Sequence, residues 1–391
     1  MSAAELTLDT AADRGAAAAL AGLPSMGPRR LAAILEAWPP EEAWARIATG
    51  DPSRLHDALT DAAPAAGVDR PVEAVTRAWS AAARDVVPAA VLHEHVIRDV
   101  RILLRHDAAY PDVLAADIEP PSVLFVRGDL RALDGPRVAI VGTRRCTGVG
   151  AGMARELGRE LAVSGVVVVS GLALGIDGAA HRGVLDARAG HPDAAPPAGV
   201  VGSGLDVVYP ARHRELWAAV AEQGVLLSEA PVGCRPSAWR FPARNRIIAA
   251  LADVVVVVES HATGGSLHTV TEALRRDVDV MAVPGSVRSS AAAGANQLLA
   301  DGCHPVRDAG DVLVALGMTP AARRRSVEHR AAPSTVGDTV LRAFDWEPAT
   351  FEHLAVRTGL PLPELALVLE GLVADGWVSA DGGWYERVAA R

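Results

Sequence analysis

Arg240-Phe241-Pro242-Ala243-Arg244-Asn245-Arg246 is the densest cationic stretch in the middle of the chain. Guanidinium forks match phosphate oxygens and an aromatic face matches a nucleobase, so these residues are the parts of a site for a single nucleic-acid strand. The competing reading is a surface run of arginines with Phe241 as a core anchor. Gly142-Thr143-Arg144 closes one apolar run. Small residues there admit a phosphate to backbone N–H groups at a helix start, and Arg144 adds a fork. Ser170-Gly171, at the head of Ser170–Asp177, closes the next run and offers a backbone nest for an anion. Gly264-Gly265-Ser266 closes a third. Asp177 and His181, four apart, suit a helix-capping aspartate bonded to its histidine better than a metal or an acid–base pair, because only one carboxylate and one imidazole are offered.

Positioning these residues needs strands that end where they begin. Val138–Gly142, Val166–Gly171, Gly199–Gly204, Val225–Ala230, Val254–Ser260 and Val280–Gly285 are short runs rich in β-branched residues. Helical stretches such as Gly150–Ser164 and Asn245–Leu251 separate them. Continuous apolar strands alternating with helices mean a mostly parallel sheet covered on both faces. The fold class is therefore α/β, a Rossmann-like doubly wound domain over residues 96–318, with ligands expected beyond the carboxyl ends of the strands. Residues 1–95 are alanine-rich and helical. The Gly/Pro turn within Ala21–Ala37 gives them a helix-hairpin-helix or SAM-like pattern, against the plainer reading of a helical cap. Asp51–Pro71 reads as a loop. Residues 319–335 form a polar, arginine-bearing linker. Residues 336–391 have the order of a winged helix, but Glu364, Glu370 and Asp375 make its third helix acidic. That favours a docking or regulatory role over reading a duplex groove, which calls for Arg, Lys, Asn or Gln.

The 391 residues are 50 % hydrophobic and carry 38 basic against 47 acidic side chains, a formal net charge of −9. Every basic residue among them is arginine, because the chain has no lysine. That balance excludes a protein that coats duplex DNA by bulk charge and leaves room for one local basic groove. Three separated cysteines with no C-x-x-C spacing supply neither a disulfide framework nor a zinc site. The amino terminus lacks a signal-peptide pattern, and runs such as Val254–Val258 fall far short of a membrane span. A reduced, cytoplasmic protein without membrane contact is expected. A dinucleotide site fits poorly, because Met153 stands at the third glycine position after Gly148-x-Gly150 and no acid ends the second strand. No metal or cofactor is expected.

Taken together, VGTRR, SGLALGIDGAAH, GSGLDVVYP, SEAPVG…FPARNRIIAAL, VVVVESHATGGSLHTVTEAL and AVPG resemble the DNA-processing protein A family (DprA/Smf), in order and spacing from about Arg101 to Asp311. The resemblance implies a non-enzymatic, homodimeric single-stranded DNA-binding protein that protects incoming DNA and helps load a RecA-type recombinase in natural transformation. It carries DNA contact onto Gly142, Thr143, Arg144, Arg244, Asn245, Arg246 and Gly264–Ser266. The residue reading adds Ser170, Gly171, Arg240 and Phe241. Leu174, Pro196 and Val278 stand where the family commonly has basic residues, so fewer cations are left to hold a strand. The competing function is a nucleotide-binding or nucleotide-hydrolysing enzyme on the same fold. Thr263–Glu272 partly resembles the G-G-x-G-T-x-x-E turn of lysine-decarboxylase-like phosphoribohydrolases, but it lacks the third glycine and spaces the glutamate too far on.

Overall fold

The computed structural model describes residues 3–50, 72–319, 332–344, 348–381 and 383–388. The loop expected at 51–71 and most of the linker expected at 319–335 lie outside these residues. The chain divides into two compact units, residues 1–319 and 320–391.

In the first unit the expected strands are present as β3 (Arg137–Val141), β4 (Val167–Ser170), β5 (Pro197–Val201), β6 (Val225–Ser228), β7 (Val254–Val257) and β8 (Asp279–Ala282). Two strands unforeseen in the sequence, β1 (Arg101–Leu104) and β2 (Val123–Gly128), precede them, and a short β9 (His304–Pro305) follows. The order across the sheet is β1-β2-β6-β5-β4-β3-β7-β8-β9. β1 pairs with β2, and β2 with β6, antiparallel; the rest of the sheet is parallel.

Side chains along β3 alternate between two cores, as a sheet covered on both faces requires. Val138 and Ile140 join α6 (Gly148–Val163) and α7 (Ile176–Gly190) on one side. Ala139 and Val141 join α9 (Arg240–Leu251) on the other, after α8 (Arg214–Gln223) has returned the chain to β6. α10 (Leu267–Leu274), α11 (Ala293–Ala300) and α12 (Ala309–Ala315) complete the layers. α6 and α7 touch backbone to backbone. A Cβ on Gly158 would stand 2.2 Å from the Ala180 carbonyl oxygen, and one on Gly183 1.9 Å from that of Arg155.

The amino-terminal helices are α1 (Ala3–Ala21), α2 (Pro28–Ala37), α3 (Pro40–Thr49), α4 (Val72–Ala83) and α5 (Pro88–Val96). The boundary expected at residue 95 is not a boundary of packing. Leu20, Ile34, Ile47 and Trp79 share one continuous buried cluster with Ile102, Phe125 and Trp217 of the sheet layer. His95 stacks on Phe125 with ring centroids 5.0 Å apart and accepts the Val232 N–H at 3.0 Å, while Arg14 pairs with Asp107 at 3.1 Å. Alanine-rich helices bury too little apolar surface alone, so they close their core against the sheet.

The second unit contains α13 (Thr335–Ala343), β10 (Ala349–Thr350), α14 (Phe351–Thr358), α15 (Leu362–Ala374), β11 (Val378–Asp381) and β12 (Trp384–Arg387), with sheet order β10-β12-β11. Val340, Phe344, Leu354, Leu365 and Leu369 form its own core. Glu364, Glu370 and Asp375 are all exposed on or beside α15.

Candidate nucleic-acid interface

The chain builds outward from β3 to β6, then returns to place β7 on the other side of β3. Such a reversal opens a crevice beyond the carboxyl ends of the two strands that flank it. A nucleotide-binding fold offers a phosphate the amino end of the helix that follows the first of these strands. Here a carboxylate from the protein itself sits at that end. Glu259, just past β7, accepts the Thr147 N–H at 2.9 Å and the Thr147 hydroxyl at 2.6 Å. Thr147 Oγ1 in turn accepts the Gly150 N–H at 3.0 Å. The Glu259 carbonyl also accepts the Thr143 N–H at 2.7 Å. A Cβ on Gly150 would meet the carboxylate at 2.3 Å, so glycine is needed for this approach. Glu259 thus holds the N-cap Thr147, which caps the Gly150 N–H of α6, and fixes the 142–147 loop on both sides.

Arg144 projects from that loop and is exposed. Its guanidinium carbon lies 4.8 Å from the centroid of the Phe241 ring, and Phe241 meets Tyr209 at 5.5 Å in a tilted pair. Tyr209 is 43 % exposed. One residue before Phe241, Arg240 lies over Trp239 at 4.4 Å. The start of α9 therefore presents two guanidinium–ring pairs, each a flat cationic surface.

Arg244 and Arg246 turn the other way. The sequence pattern begins a helix at Asn245, but α9 starts five residues earlier, at Arg240, because the RFPAR stretch is already helical. Both arginines are then buried, at 7 % exposure each, on nearly opposite sides of the helix, rather than on a loop facing the crevice. Arg246 pairs with Glu229 and donates to the Glu119 carbonyl at 2.5 Å. Arg244 lies under Gly171, where an added Cβ would sit 1.5 Å from its Nη1. Asn245, between them, is half-buried.

The expected Asp177–His181 hydrogen bond does not form. Asp177 accepts the Gly171 N–H at 3.1 Å instead. Burial pushes its carboxyl above the ordinary value, and the neighbouring Arg244 charge opposes that rise. His213 Nδ1 donates to the Leu172 carbonyl at 3.0 Å, with Leu172 at φ 54° and Gly175 at φ 79°. Arg244, Asp177 and His213 thus brace the 171–175 loop from below. Ser170 is fully buried, donating to the Ile140 carbonyl at 2.6 Å. His181 is sealed beneath it, and burial drives its pKa down to about 4.

Gly142 and Thr143 are backbone parts of the same frame. A Cβ on Gly142 would strike Ile176 at 2.5 Å, and Thr143 is buried. In the Gly264–Ser266 loop Ser266 donates its hydroxyl inward to Ser260 at 2.8 Å, while Gly265 stays exposed. The structure therefore gathers Arg144, Phe241 and Tyr209 at one face, leaves Arg240 half-buried over Trp239, and sends Ser170, Arg244 and Arg246 inward. Sequence reasoning missed Tyr209, Trp239, His213 and the capping role of Glu259. In a chain with 4 % aromatics, Tyr209 and Trp239 carried the available signal, each being an aromatic beyond a strand end. Among the described residues no three His, Cys, Asp or Glu side chains converge as a metal would need, and no helix is long and apolar enough to cross a membrane.

A doubly wound α/β sheet whose helix-end anion seat is filled from within, and whose exposed face is arginine on aromatic rings, defines a Rossmann-like protein with a cationic–aromatic surface at its crevice. A family profile described as DNA recombination-mediator protein A matches residues 101–317, more than half the chain. The chain belongs to that family. It is 35 % identical over 294 residues to Protein Smf of Escherichia coli, covering 71 % of this chain and 75 % of that one. Against DNA processing protein DprA of Bacillus subtilis it is 38 % identical over 204 residues, covering 52 % and 67 %. The X-ray structure of DNA processing protein A from Streptococcus pneumoniae superposes with a TM-score of 0.59 at 30 % identity, over 74 % of this chain and 93 % of that one.

Proposed function

We propose that the protein binds single-stranded DNA, with no sequence preference, across the carboxyl edge of its sheet, and acts without catalysing a reaction on it. The observation that carries this reading is the Arg144–Phe241–Tyr209 stack, where an exposed guanidinium and two rings lie on one surface. Rings that accept any base and forks that accept any phosphate bind a strand without reading it. Assembly as a homodimer, protection of incoming DNA and hand-over to a RecA-type recombinase rest on family membership. Glu259 speaks against the nucleotide-binding enzyme, because a nucleotide phosphate would have to displace a carboxylate that already holds the helix start.

The test is fluorescence anisotropy with single- and double-stranded oligonucleotides of equal length, with the protein's mass measured in solution. Preferential single-strand binding, equal across unrelated sequences, is the expected result. Equal affinity for the duplex, or release of free base from nucleoside monophosphates, would overturn it.

A further inference from the structure

Between the amino-terminal helices and the sheet lies a groove of about 1000 Å³. That is the upper end of the roughly 300–1,000 Å³ range of small-molecule sites. α2 forms one wall, residues 104–106 and 117–122 the other, and Trp239, Pro242 and Arg246 at the start of α9 lie between them. Most of its acids are already engaged. Glu119 is held by Arg29 of α2 at 3.1 Å and by Arg275, just past α10, at 3.3 Å, and Asp117 by Arg276 at 2.8 Å. Glu272 is held by Arg275 and Arg276. Burial opposes ionisation of Asp117 and Glu119, yet the arginine hydrogen bonds hold both carboxyls below their ordinary values. Glu36, exposed on α2, is the lining acid left without an ion pair among the described residues.

Two lining groups point to a ligand. Arg105 is exposed and donates only to the Ala115 carbonyl, at 3.1 Å, among the described contacts, so its charge has no carboxylate opposite. Trp239 is half-buried, with Arg240 over its ring. The groove also adjoins a narrow slot at the start of α9. Gly27, Pro28, Trp239 and Ala243 line both the groove and that slot, which reaches Arg240 and Arg244.

We propose that this groove is a second site for the same single strand. Nucleotides leaving the Arg144–Phe241 surface pass over the amino end of α9 and lie between α2 and residues 104–122. The bases rest on the apolar wall that includes Trp239, and the phosphates face Arg105. This inference rests on the single-strand reading above. It assigns the amino-terminal helices a share in the DNA path rather than a covering role alone. A strand is favoured over a protein segment because the groove wall holds the arginine-covered ring of Trp239. Its unbalanced cation suits phosphate, and its acids other than Glu36 are neutralised from within.

The test is a length series of oligothymidylates titrated into the full chain by fluorescence anisotropy. In the wild type, affinity should rise further once the oligonucleotide outgrows the crevice. Arg105→Glu replaces an exposed cation, and Ala32→Trp fills the groove from the α2 wall without touching α9. Each should remove that added gain, a loss on the order of tenfold for the longest oligonucleotide, the scale of one stacked base. Each should leave the shortest bound oligonucleotide and the melting temperature unchanged, whereas Arg144→Ala should weaken every length alike. A wild-type gain that survives both folded variants, or no gain with length at all, would overturn the proposal and leave the groove to a protein partner. Failure of even the shortest oligonucleotides to bind the wild type would instead remove the underlying single-strand reading.

Discussion

Four arginines beyond the strand ends, Arg144, Arg240, Arg244 and Arg246, have different work, and burial tells them apart. Arg144 is exposed over Phe241, whereas Arg244 lies under Gly171 beside Asp177. Arg144→Ala should therefore lower single-strand affinity for all sequences alike. It should also flatten the dependence of log K on log salt by roughly 0.7, the loss of one phosphate contact to a single strand. Its melting temperature should not move. Arg244→Ala should do the opposite, lowering the melting temperature and leaving the salt dependence alone, because it removes the buried charge near Asp177 and the support under Gly171. Salt titration and thermal unfolding of both variants separate the roles; a normal melting temperature in Arg244→Ala would return that residue to the binding surface. The sequence made Arg144 legible because it follows a β-branched run and precedes a glycine-marked helix. It hid the difference within RFPARNR, because Arg240 and Arg244 lie four residues apart on one helical face and differ only in what packs against each, which the spacing does not tell.

At the scale of elements, the parallel strands and the helices between them were legible because each strand is an uninterrupted apolar run. β1 and β2 were not, since their apolar runs ILL and VLFV are broken off by an arginine and sit among polar loops. The seam between β4 and α7 carries its own prediction. His181 is fully buried, and its pKa falls from the ordinary 6.5 to about 4. Between those values the unfolded chain binds a proton that the folded chain refuses, so stability is complete above pH 6.5 and declines as the pH falls toward 4. The whole decline is about 3 kcal/mol. Burial also lowers His213 and His95, which adds in the same direction. Melting temperatures taken between pH 7 and 4.5 should fall in the wild type, and His181→Leu, of similar volume, should show a shallower fall. Parallel curves would place the acid sensitivity elsewhere.

For the whole molecule, two compact units make a separable prediction. The second unit has its own core, and Glu364, Glu370 and Asp375 stand exposed on or beside α15, where they would repel a phosphate backbone. Ending the chain at Thr319 should leave single-strand affinity within a few-fold. A loss of about a hundredfold, the scale of several lost phosphate contacts, would give that unit a direct part in binding. The organisation of the first unit was less legible. The sequence separates a helical head from the sheet, but alanine-rich helices do not announce which surface they close upon, and Trp79 shares its core with Phe125 and Trp217. The filled helix end beyond β3 has a consequence for the protein in its cell. Its anion seat is occupied from the moment the chain folds, by a group whose concentration cannot vary. Free nucleotides, whose levels swing with growth and starvation, find no vacancy there. The proposed grip on DNA beside that seat therefore does not compete with a nucleotide for the helix end.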